Sequence, residues 1–458
     1  MHRALPLCAV ITALLLVFSQ SVPSATTASP VVNPCDGPCH GKPPHGKSGF
    51  TPQRIQHVII IVQENRTPDN LFQGLPGADT VNYGYNSKGQ KITLMPRNLA
   101  NRYDLDHSHT AFVTEYNGGK MNGWDKVKVR CHKPCAPTAF GYVPRSQIMP
   151  YWELATHYTF ADRMFQDNEG PSFPAHQFLI AGTSTNAVGS KLMAAENPKY
   201  PGSGGGWVLS GKNCDGSPKA VVTMIDQLGN ETITMRPCFE HPTLIDLLIG
   251  KGISWRYYDA GNDGFWSAPD AIKHLRFGPA WKNVVTPETT ILTDISSGKL
   301  QQVSWVNPTC AESDHALCND GKGPAWVASI VDAVGKSRYW KDTAIFVTWD
   351  DWGGWFDHVK PTPVTSYETG FRVPLLVISA YAKRGYISHV THYHGSILKF
   401  VETNWGLGSL GYADTRSDDL SDCFNFKGPP SKFVMIDGEL TTAQLMHAPT
   451  DEPADDDF

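Results

Sequence analysis

Two polar segments follow runs of β-branched residues in this chain. Segment 63–67 reads Gln-Glu-Asn-Arg-Thr and comes directly after the apolar run 57–62. Segment 349–358 reads Trp-Asp-Asp-Trp-Gly-Gly-Trp-Phe-Asp-His and comes after the run 343–348. Carboxylate and amide oxygens are the donors that hard or borderline divalent cations take in proteins. One carboxylate after a strand is usually a helix cap or a surface ion pair, but two such segments together predict a metal site.

A third segment supplies a candidate nucleophile. Segment 167–176 reads Asp-Asn-Glu-Gly-Pro-Ser-Phe-Pro-Ala-His, which places Ser172 in a stiff turn with a histidine four residues later. A serine hydroxyl needs a base or a metal before it attacks phosphorus. Gly-Pro-Ser turns are common, so Ser172 gains weight only together with the two acidic segments. The combination predicts metal-assisted attack of Ser172 on a phosphate ester.

Histidines near these segments are candidates for proton transfer, because imidazole titrates near neutral pH. His107 follows Asp106, His358 ends the second acidic segment, His394 precedes a predicted helix, and His274 lies in the middle of the chain. His107 and His358 are the stronger candidates because each lies within a polar cluster; the alternative for any of them is a structural role. The sequence contains no Gly-x-Ser-x-Gly elbow and no phosphate-binding or dinucleotide-binding glycine motif.

The apolar runs predict the elements that must position these residues. Runs 57–62, 343–348 and 373–378 suit strands that are buried on both faces of a sheet. Segments 326–334 and 395–404 have helical periodicity. Strands that alternate with helices predict an α/β fold, a three-layer sandwich around a mostly parallel central sheet. Sites in such sheets form beyond the carboxyl ends of the strands, where the polar segments fall.

The chain has 458 residues and a formal net charge of −5, so nothing suggests a nucleic-acid partner. We divide it into a signal peptide at 1–25, a flexible lead-in at 26–53, a catalytic domain at 54–410 and a C-terminal extension with an acidic tail at 411–458. Residues from about 189 to 307 are interpreted as insertions that build the pocket wall, with a separate small domain as the alternative.

The N-terminus predicts export to the periplasm or the medium. Arg3 precedes an apolar run at 4–18, and small residues lead to Ala25. This is the order of a secretory signal peptide. The run is shorter than the roughly 20 apolar residues of a membrane helix, although an uncleaved anchor is the alternative.

The ten cysteines agree with export, because disulfides persist outside the cytoplasm. Cys8 lies in the signal peptide and Cys423 has no evident partner. A zinc site is the alternative for the segment 131–135. The remaining cysteines suggest four local pairs: Cys35–Cys39, Cys131–Cys135, Cys214–Cys238 and Cys310–Cys318.

Taken together and in order, these segments resemble those of a known family. Residues 64–69, Glu-Asn-Arg-Thr-Pro-Asp, are similar to the Glu-Asn-Arg-Ser-Phe-Asp signature of the bacterial phosphoesterase family. That family includes phosphatidylcholine-type phospholipases C and related acid phosphatases, within the alkaline phosphatase superfamily. The resemblance spans about residues 55–405 and continues in order through segments 106–109, 117–121, 170–172, 350–359 and 394–399.

The resemblance implies an alkaline-phosphatase-like fold and a divalent metal ion: calcium, magnesium, manganese, iron or zinc. Asp351 stands where the family commonly has glutamate, and Thr67-Pro68 replaces Ser-Phe. Tyr393 stands at a place that is often acidic in relatives. The implied site has three parts: Glu64, Asn65, Asp350 and Asp351 as metal ligands; Ser172 as ligand and nucleophile; and His107, His358, His274 and His394 at the phosphate or in proton transfer.

The expected function is therefore a secreted, phospholipase C-like phosphoesterase that forms a phosphoseryl intermediate. The alternatives are a broad acid phosphatase acting on monoesters and a non-catalytic binding protein on the same scaffold. A sulfatase does not fit, because segment 172–176 lacks the arginine of the sulfatase turn. A phospholipid substrate implies transient contact with a membrane surface. Four tryptophans are candidates for that contact, with a core position as the alternative: Trp124, Trp207, Trp266 and Trp281.

Overall fold

The fold is known from a computed structural model. It describes residues 54–131, 133, 135–201, 207–209, 213–261, 264–438, 440 and 444. The expected signal peptide, the lead-in at 26–53 and the acidic end of the chain lie outside these residues. Within the described ranges, none of the helices combines the length and the apolar character that crossing a membrane requires.

The described residues form twenty strands and ten α-helices. The strands are β1 (His57–Gln63), β2 (Tyr83–Tyr85), β3 (Lys91–Thr93), β4 (Met95–Pro96), β5 (Tyr103–Leu105), β6 (Val129–Cys131), β7 (Gly141–Tyr142), β8 (Thr159–Phe165), β9 (Met193–Ala194), β10 (Lys199–Pro201), β11 (Trp207–Leu209), β12 (Val222–Ile225), β13 (Ile233–Met235), β14 (Trp255–Tyr258), β15 (Val284–Val285), β16 (Val303–Val306), β17 (Thr343–Trp349), β18 (Arg372–Ser379), β19 (Tyr386–Ser388) and β20 (His392–Tyr393). The helices are α1 (Pro68–Leu71), α2 (His109–Tyr116), α3 (Met149–His157), α4 (Ser172–Ala181), α5 (Leu244–Lys251), α6 (Lys273–Arg276), α7 (Thr290–Ser296), α8 (Gly323–Gly335), α9 (His394–Trp405) and α10 (Ala413–Arg416).

The central sheet has nine strands in the order β15-β14-β16-β1-β17-β18-β8-β19, and β20 also pairs with β8. Every neighbouring pair is parallel except those that β18 makes with β17 and with β8. The strands β1, β17 and β18 are almost wholly buried, as continuous apolar runs require. The prediction of an α/β fold with a mostly parallel sheet is confirmed.

Helices cover both faces of this sheet. Phe346 and Trp349 lie three residues apart on β17, so their side chains point to opposite faces. The ring of Phe346 packs against Phe400 of α9, with centroids 5.0 Å apart. The ring of Trp349 packs against Tyr151 of α3, also at 5.0 Å. The two helices therefore lie on opposite sides, and the sheet is the middle of three layers.

The middle of the chain, interpreted as insertions that build the pocket wall, divides into two parts in the structure. The part from 255 to 306 contributes β14, β15 and β16 to the central sheet. Only the part before it forms separate structure, including a three-stranded sheet of β13, β12 and β9. The three sheet strands are two to four residues long, which is too short for a continuous β-branched run to mark them.

The described cysteines form the disulfides Cys131–Cys135, Cys214–Cys238 and Cys310–Cys318, and Cys423 is buried and free. The alternative of a zinc site at 131–135 is thereby wrong, because a disulfide sulfur is not a thiolate ligand. The pair Cys35–Cys39 lies outside the described residues.

The tryptophans give little support to lipid contact. Trp124 and Trp266 are buried, with 1% and 5% of their surface exposed, so the expectation that they insert into a lipid surface is wrong. Trp281 is half-buried beneath the guanidinium of Arg276, 4.4 Å from the ring centroid. The side chain of Trp207 lies outside the described part of the structure.

Candidate active site

The two polar segments meet because the strands before them are parallel neighbours. Gln63 at the end of β1 pairs with Trp349 at the end of β17. The backbone amide of Asp350 donates to the carbonyl of Gln63 at 2.9 Å. The backbone amide of Asn65 donates to Asp350 Oδ1 at 3.0 Å. The structure thus brings both segments to one edge of the sheet, as the topology predicts.

The loops after these strands are interlocked at Gly353. Its φ is +60°, in the left-handed region that favours glycine, and Asn65 has a φ of 63°. A Cβ on Gly353 would lie 2.5 Å from both the Cβ and the carbonyl oxygen of Asn65. Glycine is therefore required for the second loop to hold the first in place.

Ser172 is the first residue of α4 and is completely buried. Its Oγ lies 3.4 Å from Glu64 Oε2 and 3.4 Å from Asn65 Oδ1. The same Oγ lies 3.2 Å from Asp351 Oδ2. Three oxygens from both strand ends therefore converge on the serine. Its single hydroxyl proton can serve only one of these acceptors at a time. The helix N-terminus adds positive potential, which favours an anion there.

His176 lies one turn further along α4, on the same face as Ser172. Its Nε2 is 3.0 Å from Glu64 Oε1 and 3.8 Å from Asp350 Oδ2. Burial lowers the pKa of His176 to about 4, although Asp350 acts in the opposite direction. The imidazole is therefore neutral at neutral pH and available as a ligand. His176 is not among the site residues predicted from the sequence, although its four-residue spacing from Ser172 is a signal.

His107 and His394 both reach the cluster, by which we mean Ser172 and the side chains of Glu64, Asn65, Asp350 and Asp351 around it. His107 Nδ1 lies 2.7 Å from the carbonyl of Leu105, so that nitrogen donates. Its Nε2 accepts from the amide of Asn65 at 3.2 Å, which turns Asn65 Oδ1 toward Ser172. His394 begins α9 and donates from Nε2 to the carbonyl of Trp349 at 3.0 Å. Burial lowers the pKa of His394 to about 4.

The other two predicted histidines are engaged elsewhere. His358 contacts Asp69 through Nδ1 at 2.7 Å. His274 is partly exposed and contacts Asp246 through Nε2 at 3.0 Å. Among the described residues, no hydrogen bond or ion pair joins either ring to Ser172 or its neighbours. The structure does not bring His358 and His274 to the cluster, because carboxylates hold their rings elsewhere.

His315 is fully buried beside the cluster and is not among the residues predicted from the sequence. Its ring meets that of His107 edge to face, with centroids 5.8 Å apart. It also lies against Trp266 at 6.0 Å, and Trp266 stacks on His176 at 6.4 Å. His315 lies in a loop closed by a disulfide and does not directly follow a strand, so the acidic residues beside it in the sequence do not place it at the site.

A polar cavity of about 340 Å³ lies beside Ser172. It includes Pro171, which precedes the serine, and Asn197, whose Oδ1 accepts from the backbone amide of Phe173 at 2.8 Å. Two lysines and three acidic residues give it mixed charge. We call it the entrance cavity; it is lined by Asp106, Ser108, Thr110, Lys128, Pro171, Glu196, Asn197, Lys199, Thr223 and Glu231.

The charge of the entrance cavity predicts a pH dependence. Burial, together with Glu231, raises the pKa of Glu196 to about 8. Glu196 is therefore neutral at pH 7 and becomes an anion above about pH 8, where it repels a phosphate ester. We expect the wild-type kcat/KM to fall several-fold as pH rises from 7 to 9, and Glu196→Gln to flatten this decline.

Steady-state kinetics on both proteins across this range provide the test of that pH effect. His109 is a second titrating group nearby. Burial acts to lower its pKa, but hydrogen bonds to Glu169 and Glu231 outweigh this and raise it to about 9. The comparison with Glu196→Gln separates the two groups, since only one is altered. An equal decline in both proteins would exclude Glu196 as the cause.

The donor set fits a divalent cation. Donor atoms of Glu64, His176 and Asp350 lie within 4.8 Å of one another. Asp350 Oδ2 is buried and accepts no hydrogen bond from the described residues. Its ion-pair neighbour, His176, is neutral at pH 7 because burial lowers the pKa to about 4. A buried anionic oxygen without compensation is costly, and a bound cation would compensate it.

Comparison with known proteins identifies the class to which this protein belongs, a hydrolase of phosphate esters. The model of the Phosphoesterase family matches residues 55–408. The chain therefore belongs to the Phosphoesterase family.

Named relatives and a solved structure are also similar to the chain. It is 25% identical to phospholipase C B of Mycobacterium tuberculosis, over 82% of this chain and 79% of the relative. It is 22% identical to the hemolytic phospholipase C of Pseudomonas aeruginosa, over 82% of this chain and 57% of the relative. A Vibrio parahaemolyticus protein of the alkaline phosphatase superfamily matches with a TM-score of 0.37 and 12% identity, covering 80% of this chain and 71% of that one.

Proposed function

We propose that this protein is a secreted, metal-dependent phosphodiesterase of the phospholipase C type, with Ser172 as its nucleophile. The observation that carries the proposal is the convergence of three carboxylate and amide oxygens on Ser172 Oγ, at 3.2 to 3.4 Å. The phospholipases C among the relatives support a phospholipid or a similar small diester as substrate. The three disulfides support an oxidising compartment.

The residues proposed to hold the metal are those of the two strand ends, together with the serine. When bound, a divalent cation lowers the pKa of a coordinated hydroxyl and offsets phosphate charge. Asp350 is held in place by the backbone amide of Asn65, and His176 lies beside it at 3.8 Å. The proposed ligands are Glu64, Asn65, Asp350, Asp351 and Ser172, with His176 as a further candidate.

In the proposed mechanism Ser172 Oγ attacks phosphorus in line with the leaving alcohol, and its proton passes to an adjacent carboxylate. The P–O bond to the leaving group breaks, and a histidine supplies the proton that this alkoxide takes up. His107 and His315, whose rings meet 5.8 Å apart beside Ser172 and its neighbours, are the candidates in their imidazolium form, in which Nε2 as well as Nδ1 carries a proton. Water then attacks the phosphoseryl group and gives a proton to the deprotonated histidine, while the Ser172 oxygen takes back the proton held by the carboxylate. The bond between Ser172 and phosphorus breaks, which releases the phosphomonoester and restores the serine.

Two chromogenic substrates test this function directly. Nitrophenyl phosphocholine is a diester and nitrophenyl phosphate is a monoester. We expect kcat/KM for the diester to exceed that for the monoester by at least about tenfold, and chelation to remove both activities. Restoring activity with individual divalent cations then identifies the metal.

The other outcomes of that assay are equally informative. Preference for the monoester would contradict the diesterase assignment and favour an acid phosphatase. Hydrolysis that survives complete removal of metal would contradict the metal dependence. Absence of any hydrolysis by the metal-loaded protein would favour a non-catalytic binding protein.

A further inference from the structure

A second group of metal-binding side chains lies at the far edge of the central sheet. It consists of His392 on β20, Asp422 and Cys423 in the turn Ser421–Cys423, and Asp418 in the loop before it. Ser388, the last residue of β19, lies against the group. We call these five residues the Cys423 cluster. None of them belongs to the proposed active site.

The distances between donor atoms in the Cys423 cluster are close to those between the ligand atoms of one zinc ion. His392 Nε2 lies 3.4 Å from Asp422 Oδ1. Cys423 Sγ lies 3.6 Å from that same oxygen and 4.0 Å from His392 Nε2. Zinc bonds of about 2.0 Å to nitrogen or oxygen and about 2.3 Å to sulfur place tetrahedral donors about 3.3 to 3.6 Å apart. Three different donor atoms therefore stand within a few tenths of an ångström of the separations that zinc requires.

The histidine of the cluster is oriented as metal ligands are. His392 is fully buried, and its Nδ1 lies 2.9 Å from both carboxylate oxygens of Asp418. Nδ1 therefore carries the proton, and the lone pair of Nε2 faces Asp422 and Cys423. A carboxylate that holds the distal nitrogen of a ligating histidine is the usual outer partner at zinc sites.

Cys423 supplies a soft ligand that the disulfides leave unused. It is the free cysteine of the described residues, and its side chain is fully buried. The neighbouring carboxylate of Asp422 is one-quarter exposed, which gives a cation a route to the sulfur. Together, a cysteine sulfur, an imidazole and a carboxylate select zinc over magnesium or calcium, which bind oxygen.

The residues of the Cys423 cluster do not form a second hydrolytic active site. Ser388 Oγ lies 3.1 Å from His392 Nε2, which together with Asp418 has the order of a Ser-His-Asp triad. The Ser388 hydroxyl, however, donates to Asp422 Oδ2 at 2.5 Å. A serine nucleophile passes its proton to the base of its triad, whereas the proton of Ser388 is held by this carboxylate and not by His392.

We propose that His392, Asp422 and Cys423 bind a structural zinc ion, with Asp418 orienting His392. The position of the site suggests its role. The carbonyl of Cys423 accepts from Thr159 Oγ1 of β8 at 3.1 Å, so the turn is already fixed to the sheet. His392 lies two residues before His394, which begins α9 at the active site. A zinc ion here fastens the C-terminal segment to the strand that positions His394.

Cobalt substitution tests the proposal, because a cobalt–thiolate bond gives a near-ultraviolet charge-transfer band that oxygen and nitrogen ligands do not. The full-length protein is stripped of metal and titrated with Co²⁺. We expect the band in the wild type and in Ser172→Ala, and its loss in Cys423→Ser. Elemental analysis should show one zinc fewer per chain in Cys423→Ser, and the protein should melt at a lower temperature.

A second measurement covers the case in which Cys423→Ser fails to fold. In the wild type, the reaction of Cys423, the free thiol of the described residues, with a chromogenic disulfide should be slow with zinc bound and at least about tenfold faster after chelation. Absence of the cobalt band together with a thiol rate unaffected by zinc would overturn the proposal. Either result is independent of the phosphodiesterase assay, since a folded enzyme lacking this zinc retains Ser172 and its ligands.

Discussion

Ser172→Ala is expected to lower kcat by at least about 10⁴-fold while the protein stays folded. The substitution removes the atom on which Glu64, Asn65 and Asp351 converge, at 3.2 to 3.4 Å. No other described hydroxyl makes these contacts, so none can take its place. Alanine fits the first turn of α4 without a clash, and far-ultraviolet circular dichroism should be unchanged.

The control for this variant is Ser329→Ala in α8. Ser329 is also a nearly buried helical serine, and its hydroxyl donates to the carbonyl of Ala325 at 2.8 Å. Its loss should cost about 1 kcal/mol of stability and leave kcat unchanged. Acid quenching during turnover should trap phosphate on a peptide containing Ser172 in the wild type. Turnover by Ser172→Ala within about tenfold of the wild type would refute the serine mechanism.

The sequence predicted the part of the site that strands position. Glu64, Asn65, Asp350 and Asp351 follow two β-branched runs, and parallel pairing of β1 with β17 brings such residues together by geometry alone. The short strands β14 to β16 were not predicted. Their pairing depends on neighbours far along the chain, and a run of four residues carries too little periodicity to mark them.

Side chains positioned by loops could not be placed from the sequence. His315 reaches the cluster from a disulfide-closed loop, whereas His358, beside an acidic segment, contacts Asp69 instead. Both histidines have acidic neighbours in the sequence, so local pattern does not separate them. His176 is the exception, because helical spacing from Ser172 places it on the same face.

Asp350→Asn is expected to remove metal binding at the active site and to lower kcat/KM at least about 100-fold. The same substitution should make the metal-free protein more stable. Asparagine retains Oδ1, which accepts from the backbone amide of Asn65 at 3.0 Å. It replaces Oδ2, which is buried and accepts no hydrogen bond from the described residues. Removing that buried charge should stabilise the metal-free protein by about 1 to 3 kcal/mol.

Thermal unfolding with and without metal separates this prediction from a general loss of structure. In a Cys423→Ser background, which removes the second proposed metal site, metal should raise the melting temperature by mass action when Asp350 is present and leave it unchanged in Asp350→Asn. Asp332→Asn in α8 is the matched control. Its carboxylate accepts from the backbone amide of Ile436 and pairs with Lys336, both at 3.1 Å, so this variant should lose stability yet keep the full response to metal. If Asp350→Asn instead lost stability without metal while still responding to it, Asp350 would be a structural carboxylate like Asp332, and the metal would be held elsewhere.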